Sequence, residues 1–89
     1  MNEVPHILNV EYLHHYTLRL TYRDGTVDDY DFEPLMTGRL SNALRDLTFF
    51  KEVRIEQGGG LEWPNGYDVC PELLRYHLEP ASATDRVIA

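Results

Sequence analysis

Residues 7–32 carry a hydrophobic pattern of period two, and the residues that interrupt it mark the turns. Leu8, Val10 and Tyr12 alternate with Ile7, Asn9 and Glu11, which predicts a first strand with Leu8, Val10 and Tyr12 on its apolar face. Tyr16, Leu18, Leu20 and Tyr22 alternate with Thr17, Arg19 and Thr21, a cleaner amphipathic strand. A third strand reads from residue 27 to residue 32, after Arg23-Asp24-Gly25. The faces decide the length of that turn. A two-residue Asp24-Gly25 loop sets Leu20 opposite Asp29 and Leu18 opposite Asp31, which mixes core positions with carboxylates. A three-residue loop over 23–25 sets Leu18 opposite Tyr30, Tyr16 opposite Phe32 and Arg19 opposite Asp29. The three-residue loop is therefore expected, with Gly25 in the left-handed region of a bulge turn.

The period then changes. Leu40, Leu44 and Leu47 fall at i, i+4 and i+7 with Ala43 beside them, while Ser41, Asn42, Arg45 and Asp46 form a wet face. This predicts one helix, led in by Glu33-Pro34-Leu35-Met36-Thr37-Gly38 and closed by Phe49 and Phe50. A second hairpin is expected from residues 53–57 and 61–63 around Gly58-Gly59-Gly60, with Gln57 opposite Leu61 and Ile55 opposite Trp63. The chain then turns over Pro64-Asn65-Gly66 and enters a last helix over 71–78. Pro71 suits the first helical position, and Glu72 suits the positive end of the helix dipole. The order β-β-β-α-β-β-α predicts an α+β fold: a small antiparallel sheet of two hairpin-like units, one packed helix and a short C-terminal helix. Residues 1–80 are expected to form a single domain and residues 81–89 a C-terminal tail.

Composition narrows what such a domain does. The 89 residues suffice for one small domain. The net charge of -7 opposes phosphate backbones, so direct nucleic-acid binding is not expected, whereas a basic protein partner is compatible. A single cysteine, Cys70, forms no internal disulfide, which fits a reducing cytoplasm. No apolar run approaches the roughly 18 residues of a membrane span, and the first residues lack the basic start and apolar stretch of a secretory signal.

The candidate chemistry is sparse. His14 and His15 sit side by side at the loop after the first strand, where neighbouring side chains face opposite ways, and no His or Cys spacing suggests a metal centre. Asp68 and Glu72 flank Cys70, and no His is placed to act as its base, so Cys70 reads as a structural residue at the start of a helix. The Gly58-Gly59-Gly60 run lacks the Lys-Ser or Lys-Thr of a phosphate cradle and reads as a turn. Asp28, Asp29, Asp31 and Glu33 form an acidic cluster, of which Asp29, Asp31 and Glu33 share a face with Arg19 and Thr17. A solvated sheet face with one cross-strand ion pair accounts for these residues, and so does a contact patch for a basic partner. Trp63 at a strand end reads as core or a dimer seam, with Asn65, Tyr67 and Asp68 beside it in the turn.

The chain resembles the bacterial domain-of-unknown-function family 2442. Val10 with Leu18 and Leu20, Asp24-Gly25, Asp31-Phe32, Pro34-Leu35, Phe50 with Val53, Trp63-Pro64-Asn65-Gly66 with Asp68, and Pro71-Glu72-Leu73 carry the likeness in order and spacing. The resemblance implies a small α+β domain without established catalytic residues. It also implies the antitoxin-like half of a two-protein bacterial module, since such pairs have been proposed for the family. Some relatives carry a helix-turn-helix domain afterwards; this chain ends at Ala89, and direct DNA binding is not expected of it.

Taken together, these readings predict a cytoplasmic, non-enzymatic protein-interaction domain without cofactor or metal. Its partner is a small basic protein, and the chain itself is expected to form a homodimer. The predicted contact residues are Asp28, Asp29, Asp31 and Glu33 on the acidic strand, with Trp63, Asn65, Tyr67 and Asp68 as an aromatic edge. The alternative is a ligand-sensing or regulatory domain, related to the members fused to a DNA-binding domain, with an apolar pocket between helix and sheet. An enzyme using His14 or His15 with Asp29 or Asp31 in a cleft ranks below both.

Overall fold

The turn expected at residues 23–25 is the one the chain makes. In the computed structural model, which describes residues 5–77, β2 (Thr17–Tyr22) and β3 (Val27–Asp31) pair antiparallel with Leu18 opposite Tyr30 and Arg19 opposite Asp29. Tyr22 donates its N–H to Thr26 O at 2.8 Å, Gly25 sits at φ +93°, and Asp24 Oδ1 accepts the Thr26 N–H. β1 (Ile7–His14) pairs antiparallel with β2 on its other side, giving a three-stranded sheet in the order β1-β2-β3.

The same turn recurs twice. β4 (Arg54–Ile55), β5 (Leu61–Glu62) and β6 (Asp68–Val69) form a second three-stranded antiparallel sheet. Glu56 bonds to Gly60 across residues 57–59, with Gly59 at φ +93°. Trp63 bonds to Tyr67 across Pro64-Asn65-Gly66, with Gly66 at φ +96°. Each loop has three residues with glycine third, where a positive φ excludes most side chains. In the first and last, Asp24 or Asn65 accepts the N–H of the residue after the glycine. The Gly-rich loop is held instead by the Glu56 carboxylate, which accepts from Gly58 and Gly60.

Several expectations are corrected. The Gly-rich hairpin pairs Ile55 with Leu61 and Arg54 with Glu62, not Ile55 with Trp63, because its loop is 57–59 rather than 58–60. β6 was not expected: residues 68–69 return along β5, with Leu61 opposite Val69. The two hairpin units therefore belong to two sheets rather than one. Leu8 is 55% exposed while Ile7 is buried, because the register slips between Ile7 and Asn9 and the bulge turns Leu8 outward. Val10 and Tyr12 keep their place against the core.

The helix expected through residues 40–47 is broken. A 3-10 helix Ser41–Arg45 is followed by a short α-helix, α1 (Leu47–Phe50), with extended backbone at Asp46 between them. Asp46 caps α1 by accepting the Thr48 N–H. The Arg45 carbonyl, which a continuous helix would pair with residue 49, accepts the Tyr16 hydroxyl at 2.7 Å. Ser41, assigned to the wet face, is fully buried and accepts the Gly38 N–H, whereas Leu47 and Ala43 are exposed. A further 3-10 helix spans Glu33–Leu35, and α2 runs Pro71–Tyr76 with His77 as its left-handed C-cap. The expected end of that helix at Leu78 and the 81–89 tail lie outside the described residues. The α+β class stands.

Phe50 joins the two sheets. Its ring meets Tyr12 and Tyr16 edge-on at 6.2 and 5.6 Å, Phe32 at 5.9 Å, and Trp63 in a stacked pair at 6.1 Å. The Trp63 indole N–H donates to Phe50 O at 2.9 Å, which satisfies its one polar atom inside the core. Leu73 and Leu74 of α2 are fully buried in the same core.

Candidate interaction surface

Pairing register assigns the outward side chains of the first sheet to three rows. Asn9, Thr21 and Val27 form the first, Glu11, Arg19 and Asp29 the second, and His14, Thr17 and Asp31 the third. Alternate residues of β2 and β3 enter the core, so the outer face takes the polar half of each strand. Beyond β3, Asp31 Oδ1 accepts the Glu33 N–H at 3.0 Å, and the Glu33 carboxylate lies 4.0 Å from Nη1 of Arg45.

The central row is a carboxylate–guanidinium–carboxylate arrangement. Arg19 donates from Nε to Asp29 Oδ1 at 2.8 Å and from Nη2 to Oδ2 at 3.1 Å, a two-pronged bond. These bonds hold the Asp29 carboxyl below the usual aspartate range and raise the Arg19 guanidinium, with Glu11 adding attraction from the other side. The Asp24 carboxyl in the hairpin loop is also lowered, first by the Thr26 N–H. Both groups therefore stabilise the fold fully above the unfolded aspartate pKa of about 3.9, and lose that contribution as pH falls through their lower folded values. The urea midpoint should fall as pH drops below about 4, and less steeply in Asp29→Asn and Asp24→Asn than in the wild type. Equal slopes in all three would refute the linkage.

The sequence-derived site divides. Asp29 and Asp31 share the outer face as expected, whereas Glu33 lies past the end of β3 at the start of a 3-10 helix, its Oε2 4.0 Å from Nη1 of Arg45. Asp28 points to the opposite side, where Oδ2 lies 3.0 Å from Nε2 of His77. Trp63 and Tyr67 are 2% and 1% exposed, so they belong to the core and form no accessible aromatic edge. Asn65 is exposed, yet its amide is occupied, donating to Leu40 O and accepting from Tyr67 N–H. Asp68 is half-buried on β6 opposite Glu62. Glu11 joins the acidic face without having been singled out; its signal was the Glu-Arg-Asp row that the strand registers create.

His14 and His15 are exposed at the β1–β2 turn, with ring centroids 6.1 Å apart. Among the described residues, no group of three or more His, Cys, Asp or Glu is arranged to hold a metal ion. No helix among them is long and apolar enough to cross a membrane. A cleft of about 30 Å³, room for about one water, lies between Pro5, His6, Tyr22, Arg23, Asp24, Arg75 and Tyr76.

The model of a family described as Protein of unknown function (DUF2442) matches residues 7–80. No curated protein and no solved structure matches the chain.

Proposed function

The chain belongs to the DUF2442 family, and on that premise we propose that it is a non-enzymatic domain that binds a small basic protein through the outer face of its first sheet. One observation carries the reading: on that face Glu11, Asp29 and Asp31 are exposed, with Glu11 and Asp29 flanking Arg19 and Asp31 in the next row. A three-stranded sheet with one packed side and one acidic, exposed side offers a patch on which carboxylates outnumber cations. The net charge of -7 extends the attraction beyond contact distance. A small acidic chain holding a basic partner fits the antitoxin-like half of a two-protein bacterial module, and this is the finer form of the proposal.

The test uses the full chain as bait in extract of its native cells, at about 0.15 M and about 0.5 M salt, where screening lengths differ. The wild type is expected to capture a small basic protein at the lower salt and release it at the higher. Asp29→Lys/Asp31→Lys, first shown to be folded by circular dichroism, is expected to capture none. Equal capture by the variant, or no capture by the wild type, would defeat the proposal.

A further inference from the structure

We infer that the free edge of β3 is a docking strand, and that an extended basic segment of the partner adds to it as a fourth strand of the first sheet. This deepens the interaction reading and depends on it. The backbone supplies the first observation. Tyr22 N–H bonds to Thr26 O, and Phe32 N–H bonds to Tyr16 O, so even-numbered residues of β3 direct their peptide groups toward β2. Val27, Asp29 and Asp31 therefore direct their N–H and C=O groups to the opposite side. Among the described residues, no backbone or side-chain group bonds to these outward peptide groups, and β3 neighbours only β2 in its sheet. An unpaired row of this length matches an ordinary strand and is a template for β-addition.

Charge selects the occupant. A second copy pairing β3 against β3 in antiparallel fashion about Asp29 sets Asp29 opposite its own counterpart and Val27 opposite Asp31. Like charges directly opposite are unfavourable, so the acidic side chains guard the edge against self-association. A strand with Lys or Arg opposite Asp31 and Asp29, and an apolar residue opposite Val27, turns that repulsion into attraction. Run antiparallel to β3, it reads basic, any, basic, any, apolar. The basic side chains then lie on the outer face beside Asp31 and Asp29, while the backbone supplies the hydrogen bonds.

The test titrates the isotopically labelled full chain with a blocked peptide, Thr-Lys-Val-Arg-Thr-Val-Thr, and follows amide exchange at Val27, Asp29 and Asp31. Binding should protect these amides, and replacing Lys and Arg by Glu should abolish it. N-methylation at the Arg, whose N–H faces β3, should weaken binding by about tenfold, while N-methylation at the preceding Val, whose N–H faces away, should not. Equal affinity of both methylated peptides would overturn edge pairing yet leave an electrostatic basic-partner reading standing. Absence of binding by the parent peptide would overturn the docking strand, and the capture experiment would then decide the broader reading alone. Protection of the three amides in the free protein would show that the edge is already filled, by a second copy or by the chain's own residues, and would also overturn the inference.

Discussion

Trp63→Ala is expected to destabilise the domain by about 3–5 kcal/mol, the range for removing a large aromatic from a packed core. The total stability of a chain this size is about 5–10 kcal/mol, so the variant should be largely unfolded in moderate denaturant. The magnitude follows from position. Trp63 is 2% exposed, stacks on Phe50 at 6.1 Å, meets Phe32 at 5.9 Å and Tyr67 at 5.7 Å, and donates its indole N–H to Phe50 O. Its loss opens a cavity where the two sheets and α1 converge. Trp63→Phe keeps part of the aromatic fill and loses the hydrogen bond, and should cost about 1–3 kcal/mol. Circular dichroism in urea is the measurement, because the chain has one Trp and the substitutions remove the fluorescent probe. A loss below about 1 kcal/mol for the Ala variant would contradict this placement of the indole.

Gly60→Ala is expected to cost about 2–3 kcal/mol, far more than the same change at Gly58. Neither residue has a positive φ, so space alone separates them. A Cβ at Gly60 would collide with the carbonyl oxygen of Val69 and lie 3.1 Å from Pro71 Cδ. Both atoms are fixed by the β5–β6 pairing and the start of α2, so relief requires moving backbone. A Cβ at Gly58 meets only the Glu56 carboxylate, at 3.0 Å, which is the end of a flexible side chain. Matched urea midpoints for the two variants would disprove the close approach.

The first hairpin was fully legible because its determinants are local. Asp24-Gly25 supplies the turn, and only one register keeps Leu18 and Tyr30 on one face and Arg19 and Asp29 on the other. Pro71 and Glu72 marked the start of α2 for the same reason. The acidic face was legible in part. Asp29 and Asp31 follow from β3 alone, whereas Glu11 enters through pairing with Arg19 across a bulged strand, and Glu33 lies in the 3-10 helix beyond β3. The Asp46 break had a readable signal, an Asp two residues before Thr48, but the leucine spacing across it suggested continuity.

By itself, the sequence determined the α+β class, the three-residue β2–β3 loop, the apolar half of β2 and the acidic outer half of β3. Each of these is set within a few residues, by glycine at a positive φ or by alternation along one strand. Only the tertiary structure decided that Leu8 turns outward, that β6 completes a second sheet, that Tyr16 takes the Arg45 carbonyl, and that Trp63 and Tyr67 lie inside the core. Each of these depends on a partner distant in the chain: Trp63 answers to Phe50 and Phe32, and the break before α1 to a hydroxyl 29 residues away. Local alternation says which side chains share a face; where that face is buried is fixed only when another element packs against it.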